Sequence, residues 1–389
     1  MARLFAAILV GLASISLLAP LDAGDKQEAK KSAPQVHQVP FRLTPIYHLI
    51  VRAKVNNKGP FNFIFDTGFN ANLMTPSAAK QAGLGTAGTQ RIERLELEGG
   101  AVVEKCLCNV NIPPQVSLVN RTKGEGCEVH GILGYDFMRH FRIRLDYATH
   151  KMTWTRDKAD DKDDKDAEAI VIPFARSLTN PKHLMVETHV NGKGPYRFLF
   201  DTGAPGTVVG PQVGLRGPEV VLDTVQIGAL KVEKSPAFVQ KVPAFESMAG
   251  IIGFPLIARY VTTFDFPGQR LVLRPGTYTP PQVPKSIVDG KPGPGTPEPT
   301  GGQWGLKVEK DAGDVKPGIP VTALTPDGAA AQAGIKAGDR LLLVDDSWIE
   351  SESDFRWASN RARPGIEVLV IVERDGKLLT LKAIPKAPA

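Results

Sequence analysis

A chain of 389 residues is too long for one ordinary domain, so two or three folded units are expected. Hydrophobic residues at 42% and charged residues at 23% exclude a wholly disordered or membrane-embedded chain, and 38 glycines with 32 prolines favour many turns and short strands. The formal net charge is +6, but lysines and arginines alternate with acidic residues, which argues against a nucleic-acid-binding surface.

The first 23 residues have the pattern of an export signal. Arg3 precedes an apolar run from Leu4 to Leu18, and the small residue Ala23 fits a cleavage site. The run is shorter than the roughly 20 residues that span a bilayer, so we expect no membrane span after cleavage. We therefore predict an exported protein, in the periplasm, the cell envelope or outside the cell, with residues 24–39 as a flexible polar arm.

Composition divides the rest of the chain into three folded units. A run of mixed charges and a proline- and glycine-rich stretch interrupt the apolar pattern, and neither is suited to a buried element. The predicted order is a first unit at 40–156, a charged loop at 157–168, a second unit at 169–275, a linker at 276–302 and a C-terminal module at 303–385.

The first two units are copies of one another. Residues 55–68, VNNKGPFNFIFDTG, align with residues 190–203, VNGKGPYRFLFDTG, at a constant offset of 135. Later in each unit, residues 130–154 align with residues 249–273 at an offset of 119. Aromatic and β-branched runs that follow Gly-Pro turns predict mainly β structure in both copies.

Each copy supplies one aspartate at the end of an apolar strand, Asp66 in the first FDTG motif and Asp201 in the second. Two carboxylates within hydrogen-bond distance cannot both ionise at ordinary pH, so they share one proton. One carboxyl group can then take a proton from water while the other donates a proton to a carbonyl oxygen. The repeat therefore predicts a site for amide hydrolysis on a pseudo-two-fold axis.

The two FDTG motifs, together with GILG at 131–134 and GIIG at 250–253, resemble those of aspartic proteases of the retroviral, or retropepsin, type. The resemblance covers roughly residues 40–275 and implies two tandem β-barrel lobes arranged as in the two-lobed pepsins. It implies an aspartic endopeptidase that acts on polypeptides without a cofactor or a metal. Because both halves of the site belong to one chain, a monomer is expected.

The resemblance also assigns roles to individual residues. Asp66 and Asp201 are the catalytic pair, and three further pairs support them through hydroxyl cross-bracing, close backbone approach and packing behind the loops. These supporting pairs are Thr67 with Thr202, Gly68 with Gly203, and Gly134 with Gly253.

Two departures from the family pattern leave a second hypothesis open. After Asp-Thr-Gly the family usually has Ser or Ala; the second copy keeps Ala204, but the first has Phe69. The family also closes over its substrate with a glycine-tipped hairpin, for which the first copy offers residues 85–91 and the second copy is too short. The alternative is a catalytically weak or inactive protease-fold scaffold that binds peptides.

The three cysteines, Cys106, Cys108 and Cys127, allow two interpretations. In an exported protein, Cys127 can form a disulfide with one of the other two, which leaves one thiol over. Alternatively, all three cysteines and His130 provide the donors of a tetrahedral zinc site.

The C-terminal module, with its AGIKAGD segment, resembles a PDZ domain of the bacterial protease-associated kind, although Asp345 and Asp346 replace the usual Asn-Gly. PDZ domains add an extended or C-terminal peptide to a sheet edge. The resemblance places Trp304, Gly305 and Leu306 in the loop that holds the peptide carboxylate. The module then either recruits substrate through the linker or merely packs on the protease units.

Three functional hypotheses follow from the sequence. The first is an exported aspartic endopeptidase whose PDZ domain recruits peptide or protein substrates. The second is an inactive scaffold that binds peptides through the PDZ groove. The third is an envelope assembly protein that acts only through that groove and the N-terminal arm.

Overall fold

The computed structural model describes residues 35–44, 46–121, 129–156, 167–175, 182–240, 248–281, 283, 302–311, 314, 316–345, 347–349 and 352–387. The predicted signal peptide, the first part of the arm, most of the charged loop, Cys127 and most of the linker lie outside these residues. No helix in the described ranges is both long enough and apolar enough to cross a membrane.

Lobe 1 contains a closed six-stranded barrel. Its core strands are rich in Phe, Ile and Val, and their side chains are buried. The elements are β1 Val36–Pro40, β2 Arg42–Leu43, β3 Leu49–Val55, β4 Lys58–Phe65, β5 Asn72–Met74, α1 Pro76–Gln81, β6 Gly88–Leu97, β7 Val102–Val110, α2 Pro114–Arg121, β8 Gly131–Leu133, α3 Tyr135–Met138, β9 Arg142–Asp146 and β10 Lys151–Thr155. The barrel order is β3-β4-β8-β5-β7-β6, and β6 closes the ring by pairing with β3.

Lobe 2 repeats this barrel with the same strand connections. Its elements are β11 Ile170–Pro173, β12 Met185–Val190, β13 Lys193–Phe200, β14 Val208–Val209, a 3-10 helix at Pro211–Val213, β15 Glu219–Ile227, β16 Leu230–Val239, β17 Gly250–Ile252, α4 Phe254–Ile257, β18 Tyr260–Asp265 and β19 Arg270–Pro275. The closed order is β12-β13-β17-β14-β16-β15. The predicted fold class, mainly β with two barrel lobes, is confirmed.

A six-stranded sheet joins the two lobes in the order β1-β10-β9-β18-β19-β11. At its centre β9 of lobe 1 pairs with β18 of lobe 2, and Arg144 lies opposite Thr263, its own equivalent at the offset of 119. The pseudo-two-fold axis therefore passes between these two residues. Burial of Trp154 and Phe264 beneath the sheet binds both lobes to one hydrophobic core.

The sheet corrects the predicted flexible arm at 24–39. Residues 36–40 form β1, which pairs along its whole length with β10, from Val36 opposite Thr155 to Pro40 opposite Lys151. Its counterpart in lobe 2 is β11, which pairs with β19. The arm therefore ends in a strand because the sheet edge offers it backbone hydrogen-bond partners.

The C-terminal module is a small sheet with two helices. Its elements are β20 Leu306–Val308, β21 Ile319–Leu324, α5 Ala329–Gln332, β22 Arg340–Val344, β23 Ser347–Trp348, α6 Glu352–Arg361, β24 Val368–Arg374 and β25 Lys377–Ala383. The sheet order is β20-β21-β22-β24-β25, with β23 paired to β22. A bidentate ion pair between Arg374 and the buried carboxylate of Asp339, at 2.6 and 2.7 Å, lies inside the module.

The module packs directly on lobe 1. Trp348 of β23 is 3% exposed and belongs to the main hydrophobic core of the lobes. The guanidinium of Arg52 lies 4.3 Å from the centroid of the Trp348 ring and forms an ion pair with Glu98 at 2.6 Å. The module is therefore packed on lobe 1 in the described chain, whereas its recruitment of substrates stays a prediction.

The predicted linker also begins later than residue 276. Tyr278 lies 5.7 Å from Tyr147 and 6.3 Å from Phe254, measured between ring centroids. Val283 is buried as well. The first part of this proline-rich segment therefore packs on the lobes through its aromatic and aliphatic side chains.

Cys106 and Cys108 are free thiols that point into the barrel of lobe 1, so the predicted disulfide is not formed. Burial raises the pKa of Cys106 to about 11 and that of Cys108 to about 12, so both are inert at neutral pH. His130 accepts a hydrogen bond at Nδ1 from the Asn62 N–H at 3.0 Å. In the described residues no three ligating side chains are grouped around a metal position, and Cys127 lies outside them.

Candidate active site

Each aspartate begins a tight loop where a barrel strand ends. In lobe 1 the Asp66 N–H donates to the Leu133 carbonyl at 3.0 Å, and in lobe 2 the Asp201 N–H donates to the Ile252 carbonyl at 2.9 Å. These carbonyls belong to the GILG and GIIG motifs, on strands that run parallel to the one before each aspartate. The two copies of the sequence therefore build two copies of one loop, face to face across the axis.

The two threonines cross-brace the loops. Thr67 Oγ1 donates to the Phe200 carbonyl of the opposite lobe at 2.8 Å and accepts from the Thr202 N–H at 3.0 Å. Thr202 Oγ1 donates to the Phe65 carbonyl at 2.9 Å and accepts from the Thr67 N–H at 3.1 Å. Both side chains are buried, so these four hydrogen bonds fix one aspartate loop against the other.

We expect Thr202→Val to destabilise the chain by about 2 to 4 kcal/mol. The substitution hardly changes side-chain volume, but it removes the hydroxyl that accepts from the Thr67 N–H and donates to the Phe65 carbonyl. The matched control is Thr89→Val, since the exposed Thr89 hydroxyl donates to Asn109 Oδ1 at 2.9 Å on the surface of the hairpin. Urea unfolding measures both. Equal effects of the two substitutions would contradict the cross-bracing role of Thr202.

The two glycines let the carboxyl groups meet. The Gly68 N–H donates to Asp66 Oδ1 at 2.9 Å, and the Gly203 N–H donates to Asp201 Oδ1 at 2.7 Å. A Cβ atom on Gly68 would lie 2.5 Å from Asp201 Oδ2, and one on Gly203 would overlap Asp66 Oδ2. Only glycine allows each loop to approach the carboxyl group of the other lobe this closely.

The two carboxyl groups lie within hydrogen-bond reach of each other, and their pKa values are both raised. Burial and the neighbouring charge of Asp201 raise the pKa of Asp66 well above its usual range. Burial also raises the pKa of Asp201, against the hydrogen bonds from Gly203, Asp66 and Gly68. Asp66 is 4% exposed and Asp201 is more open to solvent, so burial disfavours the charged form more strongly at Asp66.

Gly134 and Gly253 lie behind the loops, as the resemblance implies. A Cβ atom on Gly134 would overlap the Ala71 carbonyl, and one on Gly253 would overlap the Gly206 carbonyl. This close packing excludes any larger residue at either position. The glycines therefore hold the backs of the two loops at matching distances.

Phe69 does not change the backbone of its loop. Its carbonyl accepts from the Tyr135 N–H at 2.8 Å, and the Ala204 carbonyl accepts in the same way from the Phe254 N–H at 2.9 Å. The half-buried ring of Phe69 packs against the main core. The larger side chain is therefore accommodated by packing.

The predicted flap at residues 85–91 is wrong. Gly88 begins β6, pairs with Val110 of β7, and so belongs to the barrel wall. In both lobes the described chain between the aspartate loop and the long hairpin holds a short helix and a connecting segment, with no glycine-tipped hairpin. The glycines between residues 83 and 88 form turns after α1. Turn glycines have the same sequence pattern as the tip of a flap, which explains the wrong prediction.

The sequence analysis did not single out one buried histidine near the Asp201 loop. His48, which directly precedes β3, is buried, and burial lowers its pKa to about 4 although the Gly203 backbone of lobe 2 opposes this shift. The signal was present in the sequence, because His48-Leu49 and His183-Leu184 are related by the same offset of 135. The repeat therefore extends upstream of the segment on which the prediction was based.

The three predicted PDZ loop residues lie together at the start of β20, which is an edge strand among the described residues. Gly305 has a φ of +66° and lies so close to Gly328 that a Cβ atom would be 2.7 Å from the Gly328 Cα. The Trp304 ring is buried against Phe355, with 6.0 Å between centroids. Trp304 is thus a core residue, whereas Leu306 and the backbone remain at the edge.

Comparison with known proteins supports both resemblances. Residues 51–137, within lobe 1, match the family model described as aspartyl protease, and residues 302–384 match that of the PDZ domain. The predicted recognition of a protease-type domain followed by a PDZ domain is therefore confirmed. Domains of these two kinds indicate binding of peptides or polypeptides.

Curated and solved relatives cover the chain unevenly. Serine endoprotease DegS of Escherichia coli strain K12 is 40% identical over 73 residues, 18% of this chain and 21% of that protein, so the chain spans about a fifth of that relative's length. The aspartic proteinase of Irpex lacteus is 12% identical, with 63% of this chain and 98% of that chain covered and a TM-score of 0.42. Soybean basic 7S globulin is 9% identical, with 62% and 95% covered and a TM-score of 0.38.

Proposed function

We propose that this chain is an exported aspartic endopeptidase that hydrolyses peptide bonds with water. The observation that carries the proposal is the pair of buried carboxyl groups, Asp66 and Asp201, one from each lobe, within hydrogen-bond reach of each other. A structural role alone does not require two buried acids to face each other, because their repulsion and burial are unfavourable. Such pairs with raised pKa values are typical of catalytic sites.

The environments of the two carboxyl groups favour different roles. Asp201, which accepts from the Gly203 N–H and is the more exposed, takes a proton from a water molecule. That water oxygen attacks the peptide carbonyl carbon, while Asp66 donates its proton to the carbonyl oxygen. Asp201 then gives its proton to the leaving nitrogen and the C–N bond breaks, while a hydroxyl group of the tetrahedral intermediate returns its proton to Asp66, so that the pair again holds one shared proton.

The PDZ domain supplies a second contact with a polypeptide. Its edge strand β20, with Leu306 at the start, has backbone groups that an extended peptide can pair with. Because the domain is packed on lobe 1 through Trp348, a bound peptide would be held at a fixed position relative to the lobes. We propose that it retains unfolded or C-terminal segments near the cleft.

The test is cleavage of a denatured protein such as casein by the chain between about pH 3 and pH 8. We expect a bell-shaped rate with its maximum on the acid side of neutrality, because the rate rises as Asp201 ionises and falls as Asp66 loses its proton. The double variant Asp66→Asn/Asp201→Asn controls for contaminating proteases. A rate that rises steadily across this range up to pH 8 would contradict the shared-proton mechanism.

Two observations favour a second function, a peptide-binding scaffold without activity. The described residues contain no flap hairpin beside the aspartates, and Phe69 replaces the small residue that the family usually has. In that case peptides with a free C-terminal carboxylate would bind to the chain, amidated peptides would bind less, and no product would appear at any pH. Binding that persists in both aspartate variants would support the scaffold.

A further inference from the structure

A cavity of about 580 Å³ lies on lobe 1, where β1, the β6–β7 hairpin, the start of β9 and the end of β10 meet. None of the residues that line it belongs to the two aspartate loops, so it is separate from the candidate active site. Its lining contains four basic residues, His37, Arg94, His140 and Arg156, and a single acidic one, Glu104. The cavity is therefore rich in positive charge.

The tip of the β6–β7 hairpin packs on β1 and fixes the histidine of that strand. A Cβ atom on Gly99 would overlap the Gln38 carbonyl, so the tip approaches β1 as closely as a glycine permits. His37 Nδ1 donates to the Gly99 carbonyl at 3.3 Å. The imidazole of His37 is therefore held at the wall of the cavity by the hairpin.

Arg156, which directly follows β10, is held at another wall. Its Nη2 donates to the Val102 carbonyl of β7, and its guanidinium carbon lies 5.0 Å from the centroid of the Phe141 ring. No carboxylate of the described residues forms an ion pair with Arg156. A guanidinium carries five N–H donors, so several donors of Arg156 are free to bind a ligand.

The other arginine of the cavity is already compensated by acidic side chains. Arg94 Nη2 lies 3.2 Å from Glu96, and Arg94 Nη1 lies 3.5 Å from Glu104. The single acidic residue of the lining is therefore engaged by Arg94. Arg156 remains as the fixed positive charge that no described side chain neutralises.

His140 lies in the field of this charge. Burial lowers the pKa of His140, and the positive charges of Arg139 and Arg156 lower it further, while Asp136 opposes the shift. Asp136 is itself paired with Lys182 at 2.8 Å. An anion in the cavity would offset the effect of the arginines and favour the protonated ring. The other ionisable groups that line the cavity are His37, Arg94 and Glu104.

These groups suit an oxyanion with two negative charges. The planar donors of Arg156 match the oxygens of a phosphate or a carboxylate, and protonated His140 adds a second positive charge. A single carboxylate would balance only one of these charges, whereas a phosphate group carries close to two at neutral pH. The volume falls within the roughly 300–1,000 Å³ of small-molecule sites, which leaves room for an organic part of the ligand.

We propose that this cavity is a binding site for phosphate, either free or carried by a small molecule, in which Arg156 and His140 hold the oxyanion. The site does not depend on the peptidase function proposed above. A bound phosphate would connect β1 to the hairpin and to the end of β10.

Inorganic sulfate is the first probe, because it keeps two negative charges throughout the pH range used, whereas phosphate changes its protonation. Calorimetric titration of the full chain at pH 6 and constant ionic strength measures its affinity. We expect Arg156→Gln, which keeps an amide donor but removes the charge, to bind sulfate roughly 10-fold more weakly than wild type. The matched control is Arg216→Gln, an exposed position of lobe 2 outside the cavity, which should bind like wild type.

The pH dependence tests the role of His140. Sulfate should bind more tightly as the pH falls from about 8 to 5, because the ring of His140 gains its proton and the anion stabilises the charged form. In His140→Gln, which keeps a donor but cannot ionise, this dependence should be much weaker. Ring NMR follows the same group directly, with the His140 signal identified by its loss in His140→Gln. Sulfate should move the titration of His140 to higher pH, and chloride at equal ionic strength should not.

Three results would overturn the proposal: equal sulfate affinities in wild type and Arg156→Gln, an equal loss of affinity in Arg216→Gln, or a titration of His140 that sulfate does not move. Comparison of inorganic phosphate with glycerol 3-phosphate at pH 7 then distinguishes the two sources of the ligand. Tighter binding of the ester would identify a phosphorylated small molecule, and equal binding would identify free phosphate.

Discussion

Asp66→Asn and Asp201→Asn are each expected to lower the rate of peptide cleavage by roughly 10³-fold or more. An amide cannot take a proton from water, and it cannot hold the proton that the pair shares, so either substitution removes half of the cycle. Because the two carboxyl groups act as a unit, the double variant is expected to be about as slow as either single one. Initial rates at the pH optimum of wild type measure all three.

The same variants also test how the stability of the fold depends on pH. A carboxyl group whose pKa is raised in the folded state binds its proton more tightly there, so its stabilising contribution is present at low pH and is lost as pH rises through the folded-state pKa. The pKa of Asp66 is raised by burial and by Asp201. Wild type should therefore lose stability as the pH rises above the ordinary pKa of an aspartate and through the raised pKa of Asp66, and Asp66→Asn should lose less.

This comparison separates a damaged fold from a damaged site. Asp66→Asn that is inactive but at least as stable as wild type at pH 7 would support the catalytic role of the carboxyl group. Retention of more than a tenth of the wild-type rate in either variant would contradict that role. A loss of stability at all pH values would instead show that the carboxyl groups hold the loops together.

The pairing of the aspartates was predictable because the chain encodes it twice. A constant offset relates the two FDTG segments, and a duplicated strand and loop fold in the same way unless their surroundings differ. The offset also brings Thr67 opposite Thr202 and Gly68 opposite Gly203, as the structure shows. Local sequence was sufficient here because the loop geometry depends on nearby backbone hydrogen bonds.

The remaining features depend on contacts that no local pattern contains. Residues 36–40 directly follow a polar stretch and lie close to the predicted signal, so the distant partner strand β10 is needed to make them a strand. Trp348 has the pattern of a core residue of its own module, yet it is buried against Arg52 of another domain. The flap was misplaced because turn glycines carry the same signal wherever a hairpin or a helix ends.

Asp265→Ala is expected to destabilise the lobes by about 3 to 5 kcal/mol, the largest loss of stability among the substitutions considered. Asp265 of β18 is 6% exposed and accepts from Arg142 of lobe 1 at 3.1 Å, from Arg270 at 3.0 Å and from the Gly268 N–H at 2.8 Å. Removal of one partner from a buried ion pair leaves an uncompensated charge in a region of low dielectric constant. Hydrogen exchange of the β9 and β18 amides measures the loss where the lobes meet.

The matched control is Asp223→Ala in the exposed hairpin of lobe 2. Its carboxylate lies 2.6 Å from Lys234 Nζ, closer than any partner of Asp265, so distance alone would rank this ion pair as the stronger one. Water and salt screen it, and little change is expected. Equal losses of stability in the two variants would show that burial does not strengthen the ion pairs of Asp265. The contact between the lobes would then be stabilised by strand pairing and the shared aromatic core alone.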